Sequence, residues 1–179
     1  TKLYLAEGKV AVEGNNAKGK LTKGQLLFNS AIGKTIFIKV SLSSVSTAKA
    51  LLALGEIRGW DFNSVRKTAA ARWEKELEKI SIKSSDEESK KIFYSALYHT
   101  SLAPVLFSDA DGSYQNALGQ FKKMATGNRY TVFSLWDTFR ALDPLFTVTQ
   151  PGRFTEFINT MLAFYEENGL LPVWDLSAC

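Results

Sequence analysis

The chain has 179 residues, 45% of them apolar and 12% aromatic, enough to bury a sizeable core in one domain or in parts of two. Its formal charge of +4 comes from 22 basic and 18 acidic residues, with the lysines scattered through the first half, a solvated surface and not a nucleic-acid footprint. The single cysteine, Cys179, excludes an internal disulfide framework and a cysteine zinc site. No apolar run approaches a membrane span, and any export signal is expected before Thr1.

Residues 1–54 read as β structure. Short apolar segments at 2–6 and 9–13 flank Glu7-Gly8, and Gly14-Asn15-Asn16 marks a turn. Residues 25–30 and 34–43 alternate or run apolar with β-branched side chains. The clearest strand is KTIFIKVSL, starting at Lys34. The triplet Gly33-Lys34-Thr35 is not a phosphate loop, because the earlier glycine would fall at Phe28 and no helix follows. Residues 48–54 form a helical turn ending at Gly55.

Composition changes across residues 55–61, and the rest reads as helical. Val65, Ala69, Trp73, Leu77 and Ile80 form one apolar stripe on a helix capped by Asn63 or Ser64. This helix is expected to lie as a strut with Trp73 mostly buried. Ser84 and Ser85, followed by Glu87 and Glu88, offer two capping boxes for a helix whose face is Ile92, Phe93, Ala96, Leu97 and Thr100, closed by Pro104.

His99 is the only histidine. It has no second histidine, HExxH pattern or nucleophile elbow beside it, so it reads as a structural residue near a helix end or a supporting group near a sugar site. Asp109-Ala110-Asp111-Gly112 resembles the start of a calcium loop. Its glycine stands fourth where the EF-hand needs it sixth, and the twelfth position is Gln120, so it reads as a turn. Residues 112–129 form a long polar connection, expected to rim a site.

The densest chemistry lies in YTVFSLWDTFRALD, residues 130–143, where Trp136, Asp137 and Arg140 share one helical flank. Ser134 is the expected cap, and Asp143-Pro144 is expected to bend or break the helix. These residues fit either a buried tryptophan beside a satisfied Asp–Arg pair or a ligand-facing surface. GLLPVWD, residues 169–175, repeats the Trp–Asp combination at Trp174 and Asp175. An aromatic face for the apolar side of a sugar ring and carboxylates for its hydroxyls are the usual parts of a carbohydrate site. Between the two stretches, Pro151 opens a helix with the chain's strongest apolar stripe, Phe154, Phe157, Ile158, Met161, Leu162 and Tyr165, and Asn168-Gly169 ends it.

The segments FYSALYHTSLAPVLFSDADGSY, YTVFSLWDTFRALDPL, QPGRFTEFINTMLAFYEENG and LLPVWDLSAC resemble, in order, the bacterial α-mannosidases of glycoside hydrolase family 92. The resemblance runs from about Gly59 to the end. It implies an α+β, multidomain fragment: residues 1–54 as the end of an N-terminal β-sandwich domain, 55–83 as a linker with a helix, and 84–179 as the first helices of an incomplete (α/α)6 catalytic barrel. It implies part of a calcium-dependent, inverting exo-α-mannosidase acting on terminal α-mannosides, α-1,2-linked or otherwise, of N-glycans or mannans. Trp136, Asp137 and Arg140 match the motif that holds the terminal mannose, and Trp174 and Asp175 match a second wall segment, where relatives often carry Glu in place of Asp175. No catalytic residue is assigned, since the acid, the base and the calcium ligands are expected beyond Cys179. The implied partners are α-mannoside glycans and the remainder of the same enzyme, in a periplasmic, secreted or cell-surface bacterial setting. The alternative is a non-catalytic module that binds carbohydrate or protein.

Overall fold

Residues 2–7, 10–14, 18, 19, 22–28, 33 and 35–176 are described by the structure, a computed structural model. They fall into two compact units, Thr1–Ile38 and Lys39–Cys179, and the composition change at residues 55–61 lies inside the second.

In the first unit, β1 (Lys2–Glu7), β2 (Val10–Glu13) and β3 (Thr22–Leu27) form an antiparallel sheet in the order β2-β1-β3. Two of the expected strands therefore exist, and the third starts three residues earlier than the alternation suggested. The Asn15-Asn16 turn and Lys34 lie outside the described residues. The strand expected over 34–43 is not one: residues 35–43 carry no ladder, and Ile36, Phe37, Ile38, Val40 and Leu42 are exposed. A β-branched run favours extended backbone, yet it becomes a strand only when a neighbour accepts and donates its hydrogen bonds.

The second unit mixes short helices with two-stranded pairs. In α1 (Thr47–Ala53) the N-cap Ser46 accepts the Lys49 amide at 3.2 Å. Helix α2 (Phe62–Leu77) starts from Asp61, whose carboxylate accepts the Ser64 amide, and α3 (Glu87–Thr100) from Asp86, which accepts the Glu88 amide. The aspartates displace the caps expected at Asn63, Ser64, Ser84 and Ser85, because an anion matches the positive end of a helix best. Trp73 of α2 meets Tyr98 of α3 edge-on at 4.6 Å, so the strut leans on the next helix. Most of the Trp73 surface is covered, as expected, and Tyr98 of α3 supplies part of the cover. On α3, Ile92 and Ala96 are exposed, and the covered face is Phe93, Tyr94, Leu97 and Thr100.

The polar connection contains structure of its own. Strand β4 (Val105–Leu106) pairs with β7 (Tyr130–Thr131), and between them β5 (Ser113–Gln115) and β6 (Phe121–Lys123) form a hairpin. Asn116 closes that hairpin by accepting the amides of Leu118 and Gln120. Asp109 to Gly112 is a turn, with Ser43 donating to Asp109 and Lys49 paired with Asp111.

After β7 comes β8 (Phe133–Ser134), paired with β9 (Trp174–Asp175). Val132 stands between β7 and β8 with φ +65°, and among the described residues it is the one non-glycine residue in the left-handed region. For a β-branched side chain that is a strained conformation. The expected single helix over the Trp136 motif is two: α4 (Leu135–Thr138) and α5 (Leu142–Thr149). Pro144 does not break a helix but sits in the first turn of α5, where its missing amide costs nothing. Helix α6 (Pro151–Asn168) starts at Pro151 and ends at Gly169 with φ +77°, as the sequence indicates. Phe157 (2% exposed) is its centre, meeting Tyr130, Phe133, Phe146 and Phe154 edge-to-face at 4.7–6.4 Å. Ile158, Leu162 and Tyr165, expected in this core, are exposed, because they form a second apolar flank that the described residues do not cover.

Candidate functional site

The site is assembled on β8, β9 and α4. Register pairs Phe133 with Asp175 and Ser134 with Trp174, and the Leu135 amide donates to the Val173 carbonyl at 3.2 Å. Two Trp–Asp segments almost forty residues apart are thereby joined side by side.

The side chains then divide. Trp136 is 72% exposed and Trp174 56% exposed, an uncommon state for two indoles in neighbouring segments. Asp137 is exposed and accepts the Ser134 hydroxyl; Ser134 occupies the cap position but spends its oxygen on that carboxylate and not on a backbone amide. Arg140 is exposed on the turn after α4, its guanidinium 5.3 Å from the Phe139 ring centre. Among the described residues Trp136 is not buried and Asp137 and Arg140 form no ion pair. Alternation along β9 places Asp175 on the opposite face from Trp174, and it is 8% exposed.

Behind the wall lies a layer of polar anchors that sequence reasoning missed. Arg129, 4% exposed, pairs with Glu167 at 3.3 Å and donates to the Thr160 carbonyl at 3.2 Å. The Tyr114 hydroxyl donates to the other Glu167 oxygen, and the Tyr114 ring lies 4.9 Å from the guanidinium. Burial first, then the Glu167 hydrogen bond, push the Tyr114 hydroxyl far above its ordinary range. Nearby, the Tyr130 hydroxyl donates to Glu156 at 2.8 Å and the Asn128 amide to the same carboxylate at 3.2 Å. Burial and that hydrogen bond push Tyr130 up to about 12. Gly127, at φ +69°, leaves room for Glu156, since a Cβ there would come within 2.7 Å of its Oε1. Helix α6 therefore grips residues 127–131 through Glu156, Thr160 and Glu167, and those residues carry β8. The one sequence signal for this layer is an arginine immediately before an aromatic strand.

Chemically, the open face offers two flat apolar surfaces, one carboxylate and one guanidinium, which suits a neutral, hydroxyl-rich ligand with one apolar side. Among the described residues no three His, Cys, Asp or Glu side chains converge to hold a metal. His99 is exposed at the end of α3 beside Tyr98.

Residues 48–179 match the model of the glycosyl hydrolase family 92 catalytic domain. The chain belongs to glycosyl hydrolase family 92. It is similar in structure to a family 92 α-mannosidase from Bacteroides thetaiotaomicron, at 31% identity and TM-score 0.81, over 98% of this chain and 25% of that one. The same α-mannosidase in complex with mannoimidazole gives equal identity and TM-score. A family 92 inverting mannosidase from the same organism shares the fold at 22% identity and TM-score 0.76. No curated protein sequence matches the chain. The chain thus spans about a quarter of the length of the family 92 structures it matches. Its mixture of helix and strand agrees with theirs.

Proposed function

We propose that this chain is part of an inverting, calcium-dependent exo-α-mannosidase, in which β8, β9 and α4 form one wall of the pocket for the terminal mannose. The observation that carries this reading is the β8–β9 pairing, which joins two Trp–Asp segments and leaves both indoles open in a family 92 chain. Trp136 and Trp174 would stack on the apolar side of the ring, and Asp137 and Arg140 would bind its hydroxyls. Asp175 closes the buried end of the same wall.

Inversion requires an acid and a base carboxylate about 6.5–9.5 Å apart with water between them. Asp137 and Asp175 lie on differently exposed parts of the wall, and neither is assigned to that chemistry; the acid and base belong to the remainder of the enzyme. Calcium would act there as a Lewis acid and template for mannose hydroxyls. Among the described residues no three His, Cys, Asp or Glu side chains converge to form a ligand set for it. Within the larger fold, residues 1–54 would end a β-sandwich domain and residues 84–179 would begin an (α/α)6 barrel. A periplasmic or extracellular setting, with N-glycans or mannans as the source of α-1,2 or other α-linked mannose, suits this activity.

The test is release of mannose from an aryl α-mannoside by the full-length protein, with and without a chelator, and by proton NMR for the anomer first formed. Calcium-dependent release of β-mannose is expected. Binding of mannosides without hydrolysis would establish a non-catalytic carbohydrate module instead.

A further inference from the structure

The extended stretch that leads into β8 has a strand on one side and a helix on the other. Backbone groups along such a stretch alternate in direction. Those of Arg129 turn to the β4 side, where its carbonyl accepts the Phe107 and Ser108 amides at 2.8 and 3.2 Å and its amide donates to the Ser108 hydroxyl at 3.1 Å. The Tyr130 amide and the Asn128 carbonyl turn the other way, toward α6. Their partner is Thr160, 1% exposed. Its hydroxyl accepts the Tyr130 amide at 3.1 Å and donates to the Asn128 carbonyl at 3.4 Å, so one side chain supplies the acceptor and the donor that a neighbouring strand would otherwise supply. This is not the usual behaviour of a helical threonine. Thr68, Thr138, Thr149 and Thr155 each donate to the carbonyl four residues back, the local bond such a hydroxyl makes by default. Thr160 gives its hydrogen to another segment instead.

We propose that Thr160 is a positioning residue whose hydroxyl acts as a surrogate strand edge for residues 128–130 and thereby holds β8 and β9 where Trp136 and Trp174 stand open together. The path is short. Thr131, next to Tyr130, donates to the Asp175 carbonyl at 3.4 Å, and past Val132 the chain enters β8 beside Trp174. Glu156 and Glu167, four residues before and seven after Thr160 on the same face of α6, hold the side chains of Asn128, Tyr130 and Arg129. Thr160 holds the backbone between them. Thr160→Val keeps the branched shape but leaves a buried amide and a carbonyl unpaired, whereas Thr160→Ser loses a methyl and keeps both bonds. The role in presenting a mannoside rests on the reading above; the backbone pin does not.

The experiment compares Thr160→Val, Thr160→Ser and, as a control for general loss of stability, Leu97→Ala on α3, all in the full-length protein. The readouts are melting temperature, kinetics on an aryl α-mannoside, and hydrogen exchange of the Leu135 amide, which bonds the Val173 carbonyl across the wall. Thr160→Val should raise KM about tenfold with kcat within about threefold, because a misaimed wall weakens ground state and transition state alike. It should also speed Leu135 exchange more, per degree of melting temperature lost, than Leu97→Ala does. Thr160→Ser should keep KM within about threefold of the parent even where the missing methyl lowers its melting temperature. A KM change in Thr160→Val no larger per degree than in the control, or a KM as damaged in Thr160→Ser as in Thr160→Val, would overturn the proposal. If Thr160→Val does not fold, Thr160→Ser decides alone: a parent-like KM upholds the pin, and a KM that rises as the melting temperature falls overturns it. If the parent turns over no mannoside, the mannoside reading fails by itself and Leu135 exchange decides the positioning, faster in Thr160→Val and parent-like in Thr160→Ser if the hydroxyl sets the wall, equal in both if it does not.

Discussion

Asp137 is held by the Ser134 hydroxyl and otherwise open, so truncating it would remove the proposed hydroxyl-binding group while leaving the core untouched. In the full-length enzyme Asp137→Ala should lower kcat/KM for an aryl mannoside roughly 10- to 100-fold, the effect of leaving a sugar hydroxyl unpaired at about 1–3 kcal/mol. The melting temperature should change little. Parallel losses of activity and melting temperature would mean that Asp137 supports the fold. At this scale the sequence was informative where unusual residues sit next to each other: Trp136-Asp137 and Trp174-Asp175 announce themselves in an apolar context. Arg129 and Glu167 did not, because a buried ion pair is visible only when both partners are known, and these stand 38 residues apart. Asp175 was legible as part of the wall but not as its buried side, since the face of a two-residue strand depends on register.

Among the elements, α6 was the most legible, with its proline start, glycine end and 3.6-residue periodicity. What periodicity could not tell is which of two apolar flanks is covered here: Phe154, Phe157 and Met161 pack, while Ile158, Leu162 and Tyr165 stay exposed. Phe157 joins four aromatic rings from four elements, and truncation to Ala should cost about 3–5 kcal/mol. Because Tyr130 and Phe133 lean on the same ring, Phe157→Ala should weaken mannoside binding as well as stability. Unchanged affinity in a variant with a clearly lowered unfolding midpoint would show that the wall is independent of this core. The short pairs β4–β7 and β8–β9 were invisible beforehand, since strands of two residues carry no alternation to read.

At the scale of the whole molecule, the chain spans about a quarter of the length of the family 92 structures it is similar to. The 179-residue chain expressed alone should therefore release no mannose from an aryl α-mannoside at any calcium concentration, and turnover by it would place acid and base within these residues. The composition shift at residues 55–61 does not mark the division between the two units, which falls at Ile38–Lys39, and short strand pairs follow it as well as helices. The failure of the run after Lys34 to form a strand was not readable, because a strand needs a neighbour that local sequence does not name. Val132 links these scales. Its left-handed backbone stands where the chain leaves one two-stranded pair and enters another, just before α4. Such a conformation costs about 1–3 kcal/mol in a branched residue, comparable to the roughly 1 kcal/mol that its partly buried isopropyl group returns. The molecule thus contains a crank handle wound against its own preference, and at this one position a more pliable chain should not loosen it. Val132→Gly should leave the melting temperature within a few degrees of the parent and the mannoside affinity unchanged, making residue 132 a place where sequence can drift without the wall losing its aim.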